Sequence, residues 1–229
     1  MSADYARRLI EKRQIREPKD IDLELIANDL EVTIEEDDLE GCDGMLQMVV
    51  DPKCGIITVK RSIREPGQKR FIIAHELGHY DPLTRPDLIY QCSPADFSLG
   101  NNRVKPEERA ANEYAAELLM PEKLFRPRLV NKQPSMDLIK ALAAEFQTTL
   151  TATLWRFIEL TDDRCALILS EDGKIKYPVP SKRFGYRIQR GCPLDTHTYA
   201  VDFFENGVLD DQMQSVLASA WIKDSRAIS

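Results

Sequence analysis

This chain is sparing with the side chains that most often bind metals or form cross-links. It has three histidines and five cysteines in 229 residues. The cysteines (Cys42, Cys54, Cys92, Cys165 and Cys192) are scattered, odd in number and never spaced Cys-x-x-Cys, which reads as free, reduced thiols in a cytoplasmic protein. No apolar run approaches membrane-spanning length and no basic-then-apolar leader starts the chain, so neither a membrane span nor a signal peptide is expected. Repeats and low-complexity linkers are missing as well. Basic charge is in deficit: 31 Lys and Arg against 38 Asp and Glu leave a net charge of −7, which argues against general attraction to nucleic acid. Lys174, Lys176, Lys182, Arg183, Arg187 and Arg190 do cluster locally; they read as a solvated face first and an interaction surface second. What is present, 43% hydrophobic and 30% charged residues, belongs to a soluble globular protein, either one domain with an appendage or two small domains.

Periodicity and punctuation divide the chain. Residues 3–15 and 20–30 read as helices, the second with Asp20 as N-cap and Leu23, Ile26, Ala27 and Leu30 at helical spacing. Three strand-like runs follow, Val32–Glu36, Met45–Val50 and Gly55–Arg61, separated by turns at 41–44 and 51–55. Pro66-Gly67 opens the next segment and Asp81-Pro82 closes it. Residues 81–104 read as irregular. A helix is predicted over Pro106–Met120, with proline at its start, Glu107 and Glu108 at its positive end, and Pro121 stopping it. Leu124–Val130 adds a short piece. Met136–Phe146 and Thr151–Leu160 read as two helices with Leu138, Leu142, Phe146, Leu154 and Phe157 as their apolar stripe. Beyond them, strands are predicted at Cys165–Ser170, Lys174–Val179, Tyr186–Ile188 and Thr198–Phe204, then a closing helix over Asp210–Trp221.

Two of the three histidines lie in Phe71-Ile-Ile-Ala-His-Glu-Leu-Gly-His79. Residues four apart share a helix face, so His75 and His79 can offer imidazole nitrogens to one ion. Glu76 can reach a water on the same metal and act as general base. A tetrahedral catalytic zinc then needs one more protein ligand. The 106–120 helix offers Glu107, Glu108, Glu113 and Glu117. The spacing Glu108-Arg-Ala-Ala-Asn112 stands out, because Glu108 can complete a His-His-Glu site while Asn112 accepts a hydrogen bond from the far nitrogen of a ligand histidine. Glu113 is the next alternative and Glu107 the weaker one. Ala110, Ala111, Ala115 and Ala116 allow close helix packing. Zinc over manganese or iron follows from ligand type and motif.

His75-Glu-Leu-Gly-His79 and Glu108-Arg-Ala-Ala-Asn112-Glu-Tyr-Ala-Ala-Glu-Leu-Leu-Met-Pro121 together resemble the ImmA/IrrE family of zinc metallopeptidases. The second motif is similar to the family's Glu-x-x-Ala-Asn-x-Phe-Ala-Ala-x-Leu-Leu-Met-Pro helix, with Tyr114 in place of phenylalanine. The resemblance is specific over residues 71–121 and extends to about 1–130. Ile139–Phe146 and Ala152–Phe157 are similar to the helix-turn-helix-like segment that follows the peptidase core in such proteins. The family implies an α+β, zincin-like core with N-terminal helices, a small three-stranded sheet and a pair of active-site helices. The expected domains are therefore 1–130 (peptidase), 131–161 (helix-turn-helix-like) and 162–229 (a small α/β unit).

The resemblance also implies a zinc endopeptidase that cleaves a helix-turn-helix repressor and so relieves repression in a stress or mobile-element response. The alternative is a regulatory protein without proteolysis, binding a repressor, an antitoxin or DNA. Direct DNA binding is disfavoured, since Thr151–Leu160 offers only Arg156 as a clear base or phosphate contact. Zincin-like folds bind an extended substrate along a sheet edge, here expected at Met45–Val50 or Gly55–Arg61. An oxyanion donor is also expected. Tyr80, Tyr90 and His197 are unranked for that role, and His197 reads as an ordinary histidine.

Overall fold

The computed structural model of the chain describes residues 2–80, 89–92, 105–208 and 213–222. It divides into two compact units, Met1–Val130 with Lys140–Thr153, and Asn131–Ile139 with Leu154–Ser229.

In the first unit, helix α1 (Ser2–Lys12) buries Ala6, Leu9 and Ile10 on one face. Helix α2 (Leu23–Asp29) is capped by Asp22, whose carboxylate accepts the Leu25 N–H at 3.0 Å. Asp20, expected as that cap, ends a short 3-10 turn instead. Its carboxylate accepts the N–H groups of Arg16 and Glu17 at 3.0 and 2.9 Å, which holds its pKa below the usual carboxylate value.

The three predicted strands all form: β1 (Val32–Asp37), β2 (Gly44–Val50) and β3 (Lys53–Lys60). β1 runs parallel to β3 from Val32↔Gly55 to Asp37↔Lys60, and β2 runs antiparallel to β3 from Gly44↔Val59 to Val50↔Lys53. Their alternation is the half-buried pattern of a sheet with one covered face: Leu46, Met48, Ile57 and Val59 are buried, whereas Val49 and Ile56 are exposed. Helix α3 (Pro66–Tyr80) packs on β2 and β3. Its side chains from Ala74 through Tyr80 are all buried, and the Tyr80 hydroxyl donates to the Leu30 carbonyl at 2.9 Å.

A fourth short strand, β4 (Ile89–Cys92), joins this sheet from within the stretch that the sequence reads as irregular. It pairs antiparallel with β2, giving the order β1-β3-β2-β4. The two expected substrate edges are corrected accordingly. β3 is internal, with neighbours on both sides, and the outer edge of β2 carries β4 over Gly44–Gln47.

Helix α4 (Pro106–Leu119) packs against both α3 and α1. It burial-locks Tyr114, Ala115, Leu118 and Leu119. The short α5 (Glu122–Phe125) follows, and Phe125 meets Phe146 with ring centroids 5.2 Å apart. Phe146 ends helix α6 (Met136–Phe146); helix α7 (Leu150–Leu160) comes next. Of the predicted stripe on these two helices, Leu142, Phe146 and Phe157 are buried and Leu138 and Leu154 half-buried.

In the second unit, β5 (Ala166–Glu171) and β6 (Lys174–Pro180) form a hairpin. Asp172 and Gly173 turn it with φ of 49° and 68°, as a tight hairpin turn requires. Tyr186–Ile188 forms no strand. The strand expected at Thr198–Phe204 is instead helix α8 (Tyr199–Asn206), because extended Thr198 opens it and Gly207, at φ 69°, closes it. Of the closing helix expected over 210–221, residues 210–212 lie outside the described residues; 213–217 are irregular and only Ala218–Ala220 makes a 3-10 turn. No helix among the described residues is long and apolar enough to cross a membrane.

Candidate metal centre

The two motif helices face each other because both are small where they meet. A Cβ added to Gly78 would lie 3.0 Å from the Tyr114 Cβ and 3.1 Å from the Ala111 Cα, so glycine permits an approach that even alanine would obstruct. Ala111 and Ala115, from the predicted small-residue face of α4, are buried. Gly78 belongs to the same small-residue signal, on the facing helix.

One turn of α3 brings His75 and His79 onto one face, with their Nε2 atoms 3.1 Å apart. From α4, Glu108 Oε2 lies 3.1 Å from His75 Nε2 and 3.2 Å from His79 Nε2. All three side chains are buried. The remaining glutamates of α4 go elsewhere: Glu107 and Glu113 are exposed, and Glu117 is buried beside the Arg7 guanidinium at 3.4 Å.

Asn112 stands one turn along from Glu108, and its Oδ1 lies 3.0 Å from His75 Nδ1. A carbonyl-type oxygen can only accept, so with Asn112 in this orientation the His75 proton sits on Nδ1 and the Nε2 lone pair faces the cluster. Burial lowers the His75 pKa against hydrogen bonds to Glu108 and Asn112 that raise it, favouring the neutral imidazole that metals bind. Burial pushes the Glu108 carboxyl up, but the neighbouring His75 and His79 rings outweigh it and hold the pKa well below the usual range, so the side chain is a carboxylate.

The result is a set of lone pairs turned toward one another, an arrangement that a cation relieves. Ligands about 2.0–2.1 Å from a tetrahedral zinc stand roughly 3.3 Å apart; the separations here are 3.1, 3.1 and 3.2 Å. The donors therefore fit zinc in both type and spacing. Cys92, which by sequence alone reads as a free thiol, joins them. His75, His79, Cys92 and Glu108 form one buried group able to hold a metal ion. Its only sequence signal is a cysteine downstream of His79, with no spacing rule to mark it.

Glu76 is fully buried on α3. The first residue of β2 lies against it: a Cβ on Gly44 would come 2.7 Å from Glu76 Oε1 and 2.5 Å from Ile72 Cγ2. Gly44→Ala is therefore expected to push either the carboxylate or the strand aside. Metal content should be kept while the hydrolysis expected of a His-Glu-x-x-His site falls by roughly tenfold or more, since an ångström of misplacement near a reacting group is costly. Metal analysis and kinetics on one preparation would check this.

The other residues considered for the site lie differently. The Tyr80 hydroxyl is committed to the Leu30 carbonyl. The side chain of Tyr90 lies outside the described residues. His197, in the second unit, is exposed and bonds the Asp195 carboxylate at 2.8 Å. Two cavities of about 580 and 630 Å³ are found in the first unit, and neither is lined by a member of the metal cluster.

Against known proteins, residues 27–157 match the peptidase M78 family, described as the IrrE N-terminal-like domain, and this span contains both motif helices. The radiation response metalloprotease IrrE of Deinococcus radiodurans is 29% identical over 111 residues, covering 48% of this chain and 33% of that protein. Its namesake from Deinococcus deserti is 30% identical over 127 residues, covering 53% of this chain and 44% of that protein. The chain thus matches less than half the length of either relative. A solved Mycobacterium tuberculosis transcriptional regulator shares the fold, with a TM-score of 0.52 and 18% identity over 86% of this chain and 60% of that one.

Proposed function

The chain belongs to the peptidase M78 family through its IrrE N-terminal-like domain, and from that premise we propose that it is a zinc-dependent endopeptidase that cuts a helix-turn-helix transcriptional repressor. The observation that carries the peptidase reading is the meeting of His75, His79 and Glu108 within hydrogen-bond distance, with Glu76 buried on the same helix.

In this reading His75, His79 and Glu108 hold the metal and Asn112 holds the His75 ring in the ligating tautomer. A zinc ion, when bound, supplies a Lewis acid that polarises a carbonyl and acidifies water towards neutral pH. Glu76 accepts the proton of the attacking water on its carboxylate and returns it to the leaving amine. The surrounding burial excludes bulk water and so strengthens each of these charge interactions.

The finer part, a repressor as target, is supported by the shape of the binding edge. The outer edge of β2, where β4 now pairs over Gly44–Gln47, takes an extended strand by backbone pairing, and such pairing suits one exposed stretch in a folded target better than general digestion. The names of the Deinococcus relatives, radiation response metalloproteases, suit a role in a stress response. Five cysteines without a disulfide suit the cytoplasm. Direct DNA binding gains no support: Arg156, the basic residue of α7, is buried and paired with Glu159 at 2.9 Å.

The test is incubation of the zinc-loaded protein with helix-turn-helix repressors encoded beside it, followed by terminal sequencing of the products. One defined cut in a repressor, with casein left largely intact, is the expected result. Efficient digestion of casein, or tight repressor binding with no cut under any metal condition, would sink the proposal.

A further inference from the structure

Cys92 does more than sit near the metal ligands. Its side chain is fully buried, and its sulfur lies 3.3 Å from His75 Nε2, 3.8 Å from His79 Nε2 and 3.7 Å from Glu108 Oε2. Around a tetrahedral zinc with bonds of about 2.0–2.1 Å to N or O and about 2.3 Å to S, a sulfur stands roughly 3.6 Å from each of the other donors. The three observed distances bracket that figure. The four side chains therefore mark the corners of one coordination tetrahedron.

The backbone supplies an independent observation. β4 lies antiparallel on the outer edge of β2 from Gly44↔Cys92 to Gln47↔Ile89, and the Asp43 N–H donates to the Cys92 carbonyl at 2.9 Å. This edge starts where Gly44 closes on Glu76. An extended peptide pairing with β2 and bringing a carbonyl to the metal would follow the path that β4 already takes. The Cys92 sulfur lies where that carbonyl would arrive.

Resting on the metallopeptidase reading above, we infer that Cys92 is a fourth protein ligand to the metal and that β4 occupies the substrate's place on β2, so that the site stays closed until β4 leaves. Four protein ligands with no open position is the arrangement of a structural zinc site; a catalytic one keeps a position for water or substrate. Water and substrate must therefore displace the sulfur, and the substrate must also replace the β4 ladder. This defines the kind of substrate that can open the site. It is an extended segment with free backbone donors and acceptors over about four residues, able to compete with Ile89–Cys92 for the Gly44–Gln47 edge. A segment locked in a helix has no such groups to offer.

Cobalt(II) is the probe that separates the two claims. The full chain, stripped of metal and reloaded with one equivalent of cobalt(II), should show a near-ultraviolet sulfur-to-cobalt charge-transfer band. That band should vanish in Cys92→Ala and Cys92→Ser, while cobalt remains bound through His75, His79 and Glu108. X-ray absorption on the wild-type zinc form should find one sulfur at about 2.3 Å. Hydrolysis of an extended fluorogenic peptide should rise roughly tenfold or more in both variants, as expected when the competent state is a minor fraction of the wild type.

Bound cobalt without the sulfur band in wild type overturns the ligand assignment, and this measurement needs no substitution that could disturb folding. Equal or lower hydrolysis by both folded variants beside an active wild type overturns the closure. A sulfur band with no hydrolysis by any of the three proteins upholds Cys92 as a ligand and removes the peptidase reading instead.

Discussion

Glu76→Gln is expected to lower peptide hydrolysis by about 10²–10⁴-fold, the usual worth of a positioned acid–base group, which corresponds to about 3–5 kcal/mol of barrier. Zinc content should stay at the wild-type level. Glutamine has the shape of glutamate, so the close approach to Gly44 is retained, but its amide cannot take the proton of an attacking water. Glu76 is also absent from the group of side chains that converge as metal ligands. Metal analysis and single-turnover kinetics on the same preparation separate the possible roles. Unchanged hydrolysis would remove Glu76 as the base, and lost zinc would make it a ligand instead.

Glu108→Gln is expected to take zinc affinity down far more than Glu113→Gln, which should leave it unchanged. Glu108 Oε2 is within 3.2 Å of both histidine nitrogens, whereas Glu113 is exposed on the far side of α4. An amide oxygen lacks the negative charge that helps to offset the divalent ion, so the Glu108 corner is lost and the two imidazoles are left with the Cys92 sulfur to hold it. Asn112→Ala should weaken zinc by about 10–100-fold, the usual cost of losing the partner that fixes a ligand histidine. In each case the fold should persist. The first unit builds its core from Leu46, Ile57, Ile72, Leu77, Tyr114 and Leu118 without help from the metal, and a core of that extent does not need a metal staple. Competition with a zinc indicator measures the affinities and circular dichroism checks the fold. Equal zinc loss in the Glu108 and Glu113 variants would remove Glu108 from the ligand set.

The parts of the centre legible in the sequence are those set within a single helix. Residues four apart share a face whatever surrounds them, so His75 with His79, and Glu108 with Asn112, are paired by helix geometry alone. Proline and glycine punctuation likewise placed the strands β1, β2 and β3 and the helices α3 and α4 close to where they lie. The strand predicted at Thr198–Phe204 failed for a related reason. Tyr199, Phe203 and Phe204 suit either a strand or a helix by composition, and the opening Thr198 and the left-handed Gly207 decided for the helix.

What no local spacing carries is which edge a short strand finds. Ile89–Cys92 is only four residues long and lies in a stretch without periodicity. Its pairing with β2 becomes evident only when the sheet is assembled, because a ladder joins residues far apart in the chain, as in Gly44↔Cys92. The sequence by itself determined two half-sites, His75 with His79 and Glu108 with Asn112, and set Glu76 beside the first, since each needs only the pitch of one helix. Tertiary structure alone decided that the halves meet within about 3 Å, through the contact of Gly78 with Ala111, and that a cysteine on a paired strand closes the fourth corner.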